Sequence, residues 1–160
     1  MAKTKTAPAA AAKDATSVID ALNRQVATLT VLYVKLHHYH WNVKGAEFFS
    51  LHVKLEELYN ETTAHLDEVA ERVLALGGKP VSTLRASLEQ SIIDEAAGGE
   101  NSSSAMMQTL VEDLTTIIED LQEGIKVADD SEDSGTSDML TAMQTSLEKH
   151  RWMFRAYLNK

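Results

Sequence analysis

An all-α four-helix bundle is the fold class that the sequence predicts, and three observations predict it. Apolar residues recur at steps of three and four along four long stretches. No convincing period-two strand interrupts them. The connections run short, long, short, the pattern of a bundle whose middle connection crosses over its length.

Residues 1–15 form a low-complexity arm with one proline and no large apolar residue after Met1, and the arm is expected to be flexible. The bundle is expected over 16–160. Leu22, Val26, Leu29, Tyr33, Leu36 and His40 mark a first helix over 16–43, and Gly45 stops it. A second helix starts near Ala46. Leu51, Leu55, Leu58, Thr62, Leu66, Val69, Val73 and Leu76 form its buried stripe, and Gly77, Gly78 and Pro80 end it. The long connection carries a short extra helix in STLRASLEQSII. A third helix over 103–128 follows a Ser-rich cap, with Leu110, Leu114, Ile117, Leu121 and Ile125 in step. The fourth, over 136–158, runs through Leu140, Met143, Leu147, His150, Phe154 and Tyr157.

The 160 residues suit one domain with a real core. Without cysteine, disulfides and thiolate metal sites are excluded. No apolar run reaches membrane-spanning length, and the N-terminus lacks the apolar core of a secretory signal. The expected location is the cytoplasm, with no membrane partner. The net charge is −9. Lys3, Lys5 and Lys13 with no acid give residues 1–13 a charge of +3, so the body carries −12 (−9 minus +3). A basic arm therefore precedes an acidic body, and the body argues against broad nucleic-acid binding.

Six histidines stand at 37, 38, 40, 52, 65 and 150, three of them within KLHHYHWNVKG. Di-iron sites built inside one bundle use Glu-x-x-His twice. Here the residues three places before each histidine are Val34, Lys35, His37, Phe49, Thr62 and Leu147, so that site is absent.

A different site is available across the first hairpin. His40 lies five residues before Gly45 and His52 seven after it. On antiparallel helices both fall ~7–11 Å from the turn. Glu56 is one turn beyond His52 on the same side. Two imidazoles and a carboxylate suit a transition metal such as iron. His40 taken alone reads equally well as a capping or core residue.

Asp67 and Glu71, at i and i+4, share one face. Asp67 is ~20° around the helix from Glu56 but ~22 Å along the axis from His52. Taken alone, this pair reads as a solvated face. One straight helix cannot bring both clusters to one ion. Two antiparallel copies of the second helix, related by a two-fold axis near residue 61, would place His52 and Glu56 of one chain against Asp67 and Glu71 of the other. An isologous dimer then contains two such sites.

The remaining candidates take quieter readings. His37 is expected at an interface, His38 and His65 in solvent, and His150 in the core. Trp41 and Trp152 are expected to be packing anchors. The run DDSEDSGTSD fails the EF-hand register, because a loop starting at Asp129 would have Ser134 at the glycine position and Leu140 at the twelfth. It reads as an acidic loop, or as a funnel that gathers cations in an oligomer.

The joined pattern HHYHW-x3-G-x2-F-x2-LH-x3-EELY-x7-DEVAERVLALGG-x-P, with KHRWMFRAYL near the end, resembles the signature of the Dps family, the ferritin-like mini-ferritins of starved bacterial cells. The likeness spans roughly 16–158. It implies a ferritin-like four-helix bundle assembled as a hollow dodecamer. It also implies ferroxidase chemistry: Fe(II) is bound between two-fold-related subunits, oxidised with hydrogen peroxide, and stored as ferric mineral against oxidative damage. By this resemblance His40 and His52 are ligands from one subunit and Asp67 and Glu71 from the other. Glu56 matches a position where the family often has Asp. Asp129 and Asp138 match acids lining three-fold iron-entry pores. Ser134 stands where a third pore acid often occurs, with Asp133 beside it. Some relatives bind DNA through lysine-rich tails. Twelve arms acting together are the alternative, nucleoid-associated function that Lys3, Lys5 and Lys13 suggest.

Overall fold

The computed structural model describes residues 9–99 and 102–159. It contains α1 (Ala9–Asn42), α2 (Phe48–Ala75), α3 (Leu84–Gln90), α4 (Ser103–Asp130) and α5 (Ser134–Tyr157). No strand occurs among the described residues. None of their helices is long and apolar enough to cross a membrane.

The first helix begins at Ala9 rather than at residue 16. Ala9–Ala12 carry no large apolar side chain, so they leave no periodic signal. Alanine is nevertheless the strongest helix former. The arm's expected flexibility otherwise concerns residues 1–8, outside the described residues.

α1 packs mainly on α2, and α4 on α5. Leu22, Leu29 and Leu36 of α1 meet Leu55 and Leu58 of α2, Leu114 and Ile117 of α4, and Leu147 and Phe154 of α5 in one core. Each such side chain contributes about 1.5–3 kcal/mol when fully buried. Polar pairs stitch α1 to α4: Lys35 Nζ lies 2.6 Å from Asp113 Oδ2, and Arg24 Nε 2.6 Å from Asp120 Oδ1.

The crossover between α2 and α4 is tied back onto α1. Asn23 donates to the Lys79 carbonyl at 3.1 Å and accepts from the Val81 amide at 2.9 Å. Gly78 permits this approach, because a Cβ there would sit 2.9 Å from Ile19 and Val73 side-chain carbons. The short helix α3 rests on α1 but leaves Leu84 and Leu88 exposed.

Trp41 and Trp152 do not anchor this chain's core; they are 71 % and 66 % exposed. Each occupies a helix face that no other helix covers among the described residues. Periodicity alone cannot separate a large apolar residue on such a face from one in the core.

Candidate metal centre

The α1–α2 hairpin turns through Gly45, whose φ of +103° suits a residue without a side chain. The turn brings His40 and His52 face to face, ring centroids 3.7 Å apart and 20° from parallel. Their hydrogen bonds are reciprocal. His40 Nδ1 donates to the His52 carbonyl at 2.9 Å, and His52 Nδ1 donates to the His40 carbonyl at 2.9 Å. A carbonyl oxygen can only accept, so each Nδ1 carries the proton. In the neutral ring each Nε2 then keeps its lone pair, the state a metal needs. Phe48 stacks on His52 at 4.9 Å and holds the pair from the other side.

One ligand atom each from His40, His52 and Glu56 lies within 4.8 Å of the others, with His40 buried, His52 half-buried and Glu56 exposed. Two neutral nitrogens and a carboxylate oxygen form a donor set for Fe(II), Co(II) or Zn(II). Three ligands from one side leave coordination positions open.

Asp67 and Glu71 do not join this group. α2 runs unbroken from Phe48 to Ala75, so fifteen residues of helix keep Asp67 ~22 Å from His52. Both acids are exposed. Asp67 borders a surface groove with Val26, Thr30, Leu66 and Leu84. Val34, Leu84 and Leu88 are apolar and more than half exposed on the adjoining surface.

A second cluster escaped the sequence reading. Glu61 sits between α2 and α5, where its Oε2 lies 2.7 Å from His150 Nε2 and its Oε1 3.3 Å from His65 Nε2. The Ser146 hydroxyl donates to the same carboxylate. Burial opposes its charge, but the hydrogen bonds from Ser146 and His150 outweigh burial and hold the Glu61 carboxyl below the ordinary range. His65, expected in solvent, is largely covered by this arrangement. His150 is a core residue as expected, 5 % exposed.

The acidic loop divides in two. Asp129 and Asp138 are exposed. Asp133 instead caps α5, accepting from the Thr136 amide at 3.1 Å and hydroxyl at 2.6 Å. It also pairs with Arg72 at 2.6 Å. Burial opposes its charge, but the Thr136 hydrogen bonds and Arg72 prevail and lower its pKa. Within this chain the Asp133 carboxylate is therefore engaged by Thr136 and Arg72, unlike those of Asp129 and Asp138.

Around His40 and His52 lies an aromatic cluster. Tyr59 meets His40 edge-on at 5.3 Å and stacks on His37 at 4.0 Å. Burial, then the charge of Glu56, raises the Tyr59 pKa. The i, i+3 spacing of Glu56 and Tyr59 could have flagged this neighbour.

The helices and this centre define the class first: the protein is ferritin-like. The model of the Ferritin-like domain matches residues 19–160. General stress protein 20U of Bacillus subtilis (strain 168) is 52 % identical over 141 residues, covering 88 % of this chain and 97 % of that protein. DNA protection during starvation protein 2 of Bacillus anthracis is 50 % identical over 143 residues, 89 % of this chain and 97 % of that one. The crystal structure of Dps from Staphylococcus aureus matches with a TM-score of 0.87 at 52 % identity, over 89 % of this chain and 95 % of that chain. The chain belongs to the Dps family of ferritin-like proteins.

Proposed function

We propose that this protein is a ferroxidase that detoxifies and stores iron. Fe(II) binds to His40, His52 and Glu56 of one subunit and to Asp67 and Glu71 of a second. Hydrogen peroxide oxidises it, and the ferric product is kept as mineral inside a hollow shell of twelve copies in the cytoplasm. The observation that carries this reading is the carbonyl-locked pair of imidazoles. Both metal-binding nitrogens are left bare beside Glu56. The uncovered apolar surface near Asp67 supports a second copy as the source of the remaining ligands.

Pairing two Fe(II) oxidations with one peroxide avoids releasing hydroxyl radical. The carboxylates favour Fe(III), the harder ion. Asp129 and Asp138 would draw Fe(II) through entry pores.

Complementation tests the shared site. One variant carries His40→Ala and His52→Ala, the other Asp67→Ala and Glu71→Ala. Each alone should lose most rapid ferrous oxidation. Co-refolded at equal amounts, about half the dimers are mixed, and roughly a quarter of all sites should be whole under two-fold symmetry. No recovery in mixed shells, verified by mass, would mean that the ligands do not cross the two-fold axis.

A second reading, protection of DNA by direct binding, rests on the name of the Bacillus anthracis relative and on Lys3, Lys5 and Lys13. A gel shift with and without residues 1–13 should lose its salt-sensitive component on truncation. Equal retardation of both forms would remove the arm from the account.

A further inference from the structure

Arg72 of α2 reaches across to the acidic turn between α4 and α5. Its Nη2 donates to Asp133 Oδ1 at 2.6 Å and its Nε to Thr136 Oγ1 at 2.9 Å. Thr136 Oγ1 donates in turn to Asp133 Oδ2 at 2.6 Å, which closes a ring of three side chains. Thr136 is fully buried and Asp133 is largely covered. Gly135 lets the guanidinium lie close to the backbone, since a Cβ there would sit 3.3 Å from Arg72 Nη2. Elsewhere α2 meets α5 sparingly. The Glu61 bonds to Ser146 and His150 lie about three turns or more further along α5. The turn is flanked by Asp129, at the end of α4, and Asp138, near the start of α5, both exposed. Glu132 reverses the chain between them with a φ of +57°.

Resting on the reading that Asp129 and Asp138 draw in Fe(II), we infer that Arg72 is a positioning residue for iron entry. It clamps the α4–α5 turn to α2 and so fixes the placement of the two acids. A field focused on a mouth needs its charges held in place. Asp133 offsets the charge of the clamp, so the turn is held without an unpaired cation beside the entry acids. Arginine suits the task because its planar fork binds two acceptors at once. A lysine ammonium keeps the charge but not the fork.

Charge and clamping act with opposite signs here. Losing Arg72 leaves the turn one charge more negative, which by itself speeds Fe(II) uptake. Releasing the turn slows it.

The test uses the assembled full-length protein as Arg72→Gln, Arg72→Lys and Gly135→Ala, with shell mass checked for each. Hydrogen–deuterium exchange over residues 129–138 should quicken in all three while the α1–α2 hairpin keeps its protection. At limiting Fe(II) and low salt, Arg72→Gln should slow uptake ~3-fold or more, part of the ~10-fold or greater gain that steering supplies. Arg72→Lys should be slow as well, although its charge is kept. In both, the Fe(II) concentration at half-maximal rate should rise and the maximal rate should hold. Gly135→Ala removes no charge and no hydrogen-bonding group, so its slower uptake is a result that needs no Arg72 variant to fold. Faster uptake in Arg72→Gln with the parent rate in Arg72→Lys would show that charge alone matters and would overturn the inference. So would the parent rate in every variant that assembles, or a fall in maximal rate alone, which would put the effect of Arg72 at the neighbouring Glu71. Asp129→Asn with Asp138→Asn separates the two readings. If that pair slows uptake and the clamp variants do not, the inference alone fails; if the pair too keeps the parent rate, the entry reading fails with it.

Discussion

Two groups in this molecule have the same composition, two histidines and one glutamate, and opposite hydrogen-bond wiring. In the His40–His52–Glu56 group each Nδ1 is spent on a backbone carbonyl, so both Nε2 atoms stay bare. In the Glu61 group the Nε2 atoms of His65 and His150 are turned onto the carboxylate. The first group has Nε2 lone pairs to offer a cation; in the second each Nε2 carries a proton and donates it to the Glu61 carboxylate, and the bond from His150 ties α5 to α2. Residue type and proximity do not by themselves mark a metal site. What the second nitrogen of each ring is doing decides it.

The largest effect that would break this comparison is on metal affinity. Replacing both His40 and His52 by Gln should weaken Co(II) or Fe(II) binding by more than the ~10–100-fold that losing an outer-shell partner alone costs. Replacing both His65 and His150 by Gln should leave binding to the folded protein unchanged. A titration followed by cobalt absorbance measures both, and equal losses would erase the distinction.

Stability should change in the opposite order. Glu61→Ala leaves the buried His150 without its acceptor and should cost about 1–3 kcal/mol. Glu56→Ala, at an exposed position, should stay within about 0.5 kcal/mol. Urea midpoints at equal protein concentration compare them. The pH dependence follows from the lowered Glu61 pKa. Between that value and the ordinary 4.5, the unfolded chain binds more protons, so stability rises with pH. The contribution is complete above the ordinary value and is lost as pH falls through the lowered one. Glu61→Gln should flatten that acid limb; an unchanged slope would show that Glu61 is not the group responsible.

The smallest effect sharpens the same lesson in the acidic loop. Asp129→Asn with Asp138→Asn should slow iron uptake at low salt, and added salt should narrow the difference. Asp133→Ala should instead cost about 0.5–2 kcal/mol, as loss of a helix cap does. If Asp133→Ala slowed uptake as much without loss of stability, its pairing with Arg72 would not be what occupies it.

The four long helices were legible because each has a continuous stripe to bury. The His40–His52 meeting was legible too, since Gly45 ties the two positions to one turn. The Glu61 contacts were not. Ser146 and His150 lie 85 and 89 residues away along the chain, and their approach depends on how α5 is rotated over α2, which no local pattern records. Asp133 and Asp138 look alike in a run of acids; only the fold around Arg72 separates them.

The crossed carbonyl bonds between His40 and His52 have an evolutionary consequence. Metal-site histidines are commonly oriented by neighbouring side chains, which drift can remove one at a time. Here the orienting groups are main-chain atoms that every amino acid possesses. The surrounding sequence is free to diverge without loosening the rings. The weakness moves to the spacing of the hairpin: inserting or deleting one residue between 43 and 47 would turn His52 by ~100° about its helix. Lineages of this fold should therefore tolerate substitution around the pair far better than any change in the length of that turn.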